Sequence, residues 1–307
     1  MRVGLIDVDG HNFPNLPLMK ISAYHKARGD TVEWYEPIMG EFDLVYMSKV
    51  FSWSDDYEYP IYAKEVRRGG TGYCIRTENG KEIWDETENH SLPDEVEHTY
   101  PDYSLYGITN TAYGFLSRGC PRNCAFCIVG KKEGCRSHKV ADLAEFWRGQ
   151  KYIELLDPNI LACPEWADLL DQLHRSGAWV DFNQGLDIRM MDEKRAKAIL
   201  SLKIKRLHFA FDRYEDGDRI KPKFEMFKQM SGIEMQRLVV YVLCNYNTTI
   251  EQDLERIYWL RGAGYGPYVM LYDKEHMRRD DPRRKMQRWC NAKWAFKVCP
   301  DFADYRG

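Results

Sequence analysis

The segment Cys120-Pro121-Arg122-Asn123-Cys124-Ala125-Phe126-Cys127 places three thiols on one short stretch with C-x3-C-x2-C spacing. As thiolates, three such groups can ligate three irons of a cubane cluster and leave the fourth iron without a protein ligand, open for chemistry. The same soft donors suit zinc, and Cys135 further along supplies a fourth ligand for a closed structural site. The spacing leaves both chemistries open. The remaining cysteines, at positions 74, 135, 163, 244, 290 and 299, have no compact spacing, and most of them read as small buried hydrophobes. An odd total of 9 cysteines argues for metal ligands or core residues over a disulfide framework.

A loop of this kind needs elements to hold it. Residues 1–72 read as a small Rossmann-like α/β domain. In it a strand over 2–9 precedes a helix over 15–28, with Asn15 as N-cap, Pro17 in the first turn and Gly29 beyond the end. Strands over 31–35 and 42–51 follow, then a helix over 57–68 closed by Gly69-Gly70. Residues 73–103 combine a hairpin, signalled by Asn79-Gly80, with an acidic linker over 85–103 that holds Pro93 and Pro101.

Across residues 104–273, β-rich runs recur at 112–117, 152–156, 179–183, 206–211, 238–244 and 268–272. The later starts differ by 27, 27, 32 and 30 residues, the length of a strand plus a crossover helix. Between them lie amphipathic helices, one with Trp166, Leu169, Leu170 and Leu173 on a single face and one opened by a Thr248/Glu251 capping box. Six such units predict a partial (β/α)6 barrel with its chemistry at the C-terminal strand ends, and the cysteines fall in its first βα loop.

Composition narrows the class of protein. The chain has 307 residues, 44% hydrophobic and 14% aromatic, enough for one large domain with a smaller one beside it. No apolar run exceeds Leu238–Cys244, so no membrane span is expected. The opening Met1-Arg2-Val3-Gly4-Leu5-Ile6-Asp7 is too short an apolar stretch for a secretory signal, and the expected location is the cytoplasm. The net charge of −3 conceals an acidic front, with 19 Asp and Glu against 10 Lys and Arg in residues 1–100. Residues 274–307 form a basic, aromatic tail.

With the cysteines in the first loop of a β/α series, the sequence resembles the radical S-adenosylmethionine superfamily, over most of its length. The spacing with Phe126 before the last cysteine is that superfamily's signature. Pro101-Asp102-Tyr103-Ser104-Leu105, followed by Ser117-Arg118-Gly119-Cys120-Pro121, is similar to the branch holding cobalamin-dependent enzymes and methylthiotransferases. The resemblance implies a radical SAM barrel with a 4Fe-4S cluster on Cys120, Cys124 and Cys127. S-adenosylmethionine would chelate the fourth iron, and an external electron donor would reduce the cluster. Cleavage would yield a 5'-deoxyadenosyl radical that abstracts hydrogen from an unidentified substrate. The alternatives are a non-catalytic zinc or iron-sulfur protein, and a cobalamin-dependent methyltransferase or nucleic-acid-modifying enzyme.

The cofactor contacts implied are Phe126 beside the adenine and polar strand-end residues for the methionine and ribose: Asp157, Gln184, Arg189 and Asp212. A carboxylate suits the ammonium and hydroxyls, and an arginine can grip the carboxylate in bidentate fashion. The same positions serve as helix N-caps. Asp157-Pro158-Asn159 stands where the family has G-G-E, and the front domain has only Cys74 where methylthiotransferases place three cysteines. Asp9-Gly10-His11 matches part of a cobalamin motif in which the histidine ligates cobalt and the aspartate orients it. Arg283, Arg284, Lys285 and Arg288, with Trp289, Trp294 and Phe296, could grip a nucleic acid. A helix with Trp289, Ala292, Lys293 and Phe296 on one face closing the barrel is the favoured reading, its cations solvated.

Overall fold

In the computed structural model, which describes residues 1–78 and 81–306, the chain divides into two compact units, each mixed α/β with parallel sheet. The first holds Met1–Gly114, Pro121–Cys135 and Ala141–Lys151, and the second Phe115–Cys120, Arg136–Val140 and Tyr152–Gly307.

The first unit is built on β1 (Arg2–Asp7), β2 (Thr31–Trp34), β3 (Phe42–Ser48) and β4 (Ala63–Gly69), all parallel in the order β2-β1-β3-β4. This is a doubly wound order, which arises when the chain reverses direction along the sheet after its second strand. Helix α1 (Leu16–Ala27) starts where Asn15 accepts the Leu18 N–H, the expected N-cap. Its Leu18 and Ile21 pack on Val3 and Leu5, while Ile6, Phe42, Val45 and Met47 form a separate apolar cluster. Helix α2 (Asp94–Glu97) adds Val96 to the first of these clusters. Leu92 and Val96, in the stretch expected as a linker, therefore pack in this core. Lys20 pairs with Glu97 at 2.9 Å, and Lys26 and Ser22 bind Asp102 at 2.6 and 2.7 Å.

The helix expected over 57–68 does not form. Its second half is β4, paired to β3 over Phe42↔Ala63 to Ser48↔Gly69, and Pro60 interrupts its first half. Backbone bonds to a neighbouring strand outweighed a marginal helical pattern. Gly70, after β4, has a φ of +103°, and a Cβ there would stand 2.2 Å from the Lys49 carbonyl oxygen. Strands β5 (Ile75–Glu78) and β6 (Lys81–Trp84) form the expected antiparallel hairpin. Its Asn79-Gly80 turn lies outside the described residues. Strand β7 (Thr111–Gly114) and helix α3 (Val129–Lys132) also belong to this unit.

In the second unit β8 (Ser117–Arg118) pairs antiparallel with β9 (His138–Lys139). Strands β10 (Tyr152–Leu155), β11 (Trp179–Phe182) and β12 (Lys203–Ile204) are parallel neighbours. So are β13 (Leu207–Ala210), β14 (Leu238–Cys244) and β15 (Gly266–Leu271). A parallel bridge between Leu186 and Phe209 joins the two sets. Helices α4 (Trp166–Ser176), α5 (Glu193–Leu200), α6 (Gly217–Ser231) and α7 (Ile250–Gly262) alternate with the strands, as the spacing predicted. The capping box of α7 falls one residue later than expected, at Thr249 and Gln252, because the Thr248 hydroxyl donates to Asp253.

The tail is two helices, α8 (Pro282–Asn291) and α9 (Lys293–Val298), with an extended Ala292 between them instead of one continuous turn. Asn291 accepts the Val269 N–H at 2.8 Å and donates to its carbonyl at 3.0 Å. The exposed edge of β15 is thereby occupied, which blocks pairing with another chain. Trp289 is fully buried, and its Nε1 donates to the Cys299 carbonyl, whereas Trp294 is 72% exposed. The tail cations are not all solvated: Arg283 reaches Asp253, and Arg284 donates to the carbonyls of Met277 and Arg278. Among the described residues no helix is long and apolar enough to cross a membrane.

Trp289→Ala should cost about 3–5 kcal/mol of stability, as deletion of a buried large aromatic does. Trp294→Ala should change it by no more than about 0.5 kcal/mol. Urea unfolding of both variants measures the difference, and equal losses would contradict the packing described.

Candidate functional site

The cysteine segment has no helix or strand between Gly119 and Ile128. Gly119 has a φ of +80°, a left-handed conformation that glycine adopts without strain, and it turns the chain from β8 into Cys120. In the second unit the root of this segment is clamped. The carboxylate of Asp157, in the turn after β10, accepts the Leu116 N–H at 3.0 Å, the Ser117 N–H at 2.5 Å and the Ser117 hydroxyl at 2.7 Å. Asp157 is 4% exposed, and burial pushes its pKa up to about 6 against the lowering effect of those donors.

Asn159 lies beyond it, and its Nδ2 donates to Cys120 Sγ at 3.5 Å and to Asp187 Oδ2 at 3.1 Å. Asp187, after β11, also accepts from Arg189 Nε at 2.7 Å, and Arg189 lies 3.5 Å from Asp216. Asp212, after β13, is half-buried and pushed up to about 6 by desolvation, with Arg256 and Arg189 opposing the shift. The structure thus brings Cys120, Arg189 and Asp212 into one charged neighbourhood at the C-terminal strand ends, together with Asn159, Asp187 and Arg256. Asp157 anchors that neighbourhood from beneath. Gln184 is exposed and takes no part in the bonds described there.

Cys124, Phe126 and Cys127 belong to the first unit and are each half-buried. The Cys127 N–H donates to the Cys124 carbonyl at 2.9 Å, a tight turn that keeps these two thiols on one short bend. Cys135 is exposed, and its thiol contacts the Gly130 carbonyl at 3.9 Å. Among the described residues no three His, Cys, Asp or Glu side chains are arranged as a metal-holding group.

His11 stacks on Trp34 with ring centroids 4.1 Å apart. Asp9, the expected orienter of that imidazole, instead accepts from Val50 N, Phe51 N and Ser54 Oγ. Its carboxylate is committed to the loop after β3.

Two groups of polar residues were not singled out from the sequence. The first is Arg256, 1% exposed, which donates to the carbonyls of Phe211, Asp212 and Leu243 and to Asp253 at 2.6 Å. The second is a row along one sheet face: Glu154 in register with Asp181, His208 with its Nδ1 3.6 Å from Asp181 Oδ1, and Tyr241 stacked on His208. Burial raises Glu154, and Asp181 beside it adds to the shift. The sequence signal for this row is the alternation Ile153-Glu154-Leu155, Val180-Asp181-Phe182 and Leu207-His208-Phe209, polar residues at every second position of apolar strands.

No family profile and no curated protein sequence matches this chain.

Because its folded pKa lies above the unfolded value, Asp157 keeps a proton in the native state that the unfolded chain releases between about pH 4 and 6. Its contribution to stability is present below that window and is lost as pH rises through it, on the order of 1–3 kcal/mol. Unfolding free energies of wild type and Asp157→Asn across this range should differ in slope, the wild type falling more steeply. Parallel profiles would refute the assignment.

Proposed function

We propose that the chain is a radical S-adenosylmethionine enzyme in which residues 104–273 make a partial (β/α)6 barrel, preceded by a small Rossmann-like α/β domain over residues 1–72. The observation that carries this reading is the cysteine segment itself: C-x3-C-x2-C, rooted by a buried carboxylate at the end of β10, with its first cysteine, Cys120, beside a charged cluster at parallel strand ends. In a βα-repeat fold, this is the edge at which chemistry is done.

The donor set fits an iron-sulfur cluster better than zinc. Three half-buried thiols, one of them already accepting an amide N–H, suit a cluster with one open iron. A structural zinc site needs a fourth enclosed ligand, and Cys135 is exposed with its thiol directed to a backbone carbonyl. The segment, free of regular structure, can draw its thiols together as metal binds, since such sites commonly form with their metal. When bound at Cys120, Cys124 and Cys127, the cluster would supply the electron that cleaves S-adenosylmethionine to a 5'-deoxyadenosyl radical, which abstracts hydrogen from substrate.

The chain's own residues then have defined work. Asp157 holds the base of the loop so that Cys120 stays at the strand ends. Arg189, tethered through Nε to Asp187 and lying near Asp216, would bring its guanidinium to a carboxylate. Asp212, half-buried, with its backbone carbonyl held by Arg256, offers a carboxyl to an ammonium or hydroxyl. Phe126 supplies an aromatic face for the adenine, and exposed Gln184 a polar contact for the ribose. An external electron donor is required. The tail contributes little to nucleic-acid binding, because Arg283 and Arg284 are spent on protein acceptors.

Anaerobic reconstitution with iron and sulfide should give a brown protein that, once reduced, converts S-adenosylmethionine to methionine and 5'-deoxyadenosine. Cys124→Ala should lose both colour and cleavage. A colourless protein with stoichiometric zinc, or a reconstituted protein that forms no 5'-deoxyadenosine, would overturn the proposal.

A further inference from the structure

The proposed roles leave the buried side chain of Asn159, next to Cys120, unused. We propose that Asn159 is a positioning residue for the Cys120 thiolate and raises the reduction potential of the cluster held there; this rests on the cluster reading above.

Asn159 is 2% exposed, and its side chain makes two hydrogen bonds and leaves one oxygen without a partner. Nδ2 donates to Cys120 Sγ at 3.5 Å and to Asp187 Oδ2 at 3.1 Å, while Oδ1 is buried with no donor. The ordinary explanation for an asparagine in this turn is a helix cap. That explanation fails, because Asn159 makes no side-chain capping bond to the short 3-10 turn Ile160–Ala162 that follows it. The turn is held by backbone bonds instead, with the Asn159 carbonyl accepting from Ala162 N and Ser137 Oγ. An apolar side chain of similar size would fill the same volume without stranding an acceptor.

The amide is retained at that cost for its donor end. Asp187, itself held by Arg189, fixes the rotation of the amide by taking one Nδ2 hydrogen, which leaves the other aimed at sulfur. When one electron enters the cluster from a reductant, negative charge on the cysteine sulfurs increases. A fixed N–H dipole against sulfur stabilises the reduced form more than the oxidised form. Hydrogen bonds to the sulfurs are among the levers that set cluster potentials.

The test is a redox titration of reconstituted wild-type, Asn159→Ala and Asn159→Asp proteins with dithionite and mediators, followed by the electron-paramagnetic resonance of the reduced cluster. Loss of the donor should shift the reduced-to-oxidised ratio at a fixed potential about tenfold toward oxidised, equivalent to about 59 mV for a one-electron couple. Asn159→Asp, which replaces the donor by an anion of the same shape, should shift it further in the same direction. It remains the decisive variant if the alanine protein fails to hold iron. Unchanged potentials in the variants that hold iron would overturn this inference and leave the cluster reading standing. Iron binding that survives Cys120→Ala would overturn the cluster reading itself.

Discussion

The carboxylate of Asp157 holds two backbone N–H groups and a hydroxyl of residues 116 and 117 at the end of β10, and the placement of the first cysteine depends on it. A short, irregular segment has many conformations and little apolar surface to select one. Here the selection is made electrostatically at its root. The carboxylate is desolvated, which raises its pKa, and the donors it gathers offset that cost. From that fixed point Gly119 turns the chain, and Asn159, two residues past the carboxylate, meets the Cys120 thiol. One strand end therefore both anchors the cysteine segment and touches its first sulfur.

The ends of the neighbouring strands are fixed by arginines used as internal staples. Arg256 sits beneath the loops after β13 and β14 and ties three carbonyls and Asp253 together. A buried guanidinium is tolerable only where its donors find acceptors, and its value lies in specifying one arrangement of the loops more than in net stability. Arg283 completes the set from α8 by pairing with the same Asp253 at 3.0 Å. A tail whose composition suggests a partner's phosphates thus contributes to the protein's own interior.

Much of the fold was legible because it is local. The Asn15 cap, the strand starts of the second unit and the apolar face of α4 all follow from periodicity and punctuation, which act over a few residues. The misreadings share a cause. Residues 57–68 follow the hydrogen-bonding demand of β3, and Thr248 left the cap for Asp253. In both cases a hydrogen-bonding partner overrode a correct local tendency.

The same division holds at the site. Residue types and spacing alone put three thiols within eight residues, which holds Cys120 and Cys127 to at most about 25 Å apart whatever the fold. They also placed polar residues at the strand ends. Only the tertiary structure decided which of those do what: Asp157 turned inward to the loop root, Arg189 was held by Asp187, and Gln184 was left exposed. It also set Glu154 beside Asp181 through the register of β10 and β11, and brought His208 of β13 to 3.6 Å from Asp181. Side-chain alternation says that a residue faces one side of its strand. The neighbour it meets there is set by how the strands assemble, because the bonds that align them join positions far apart in the chain.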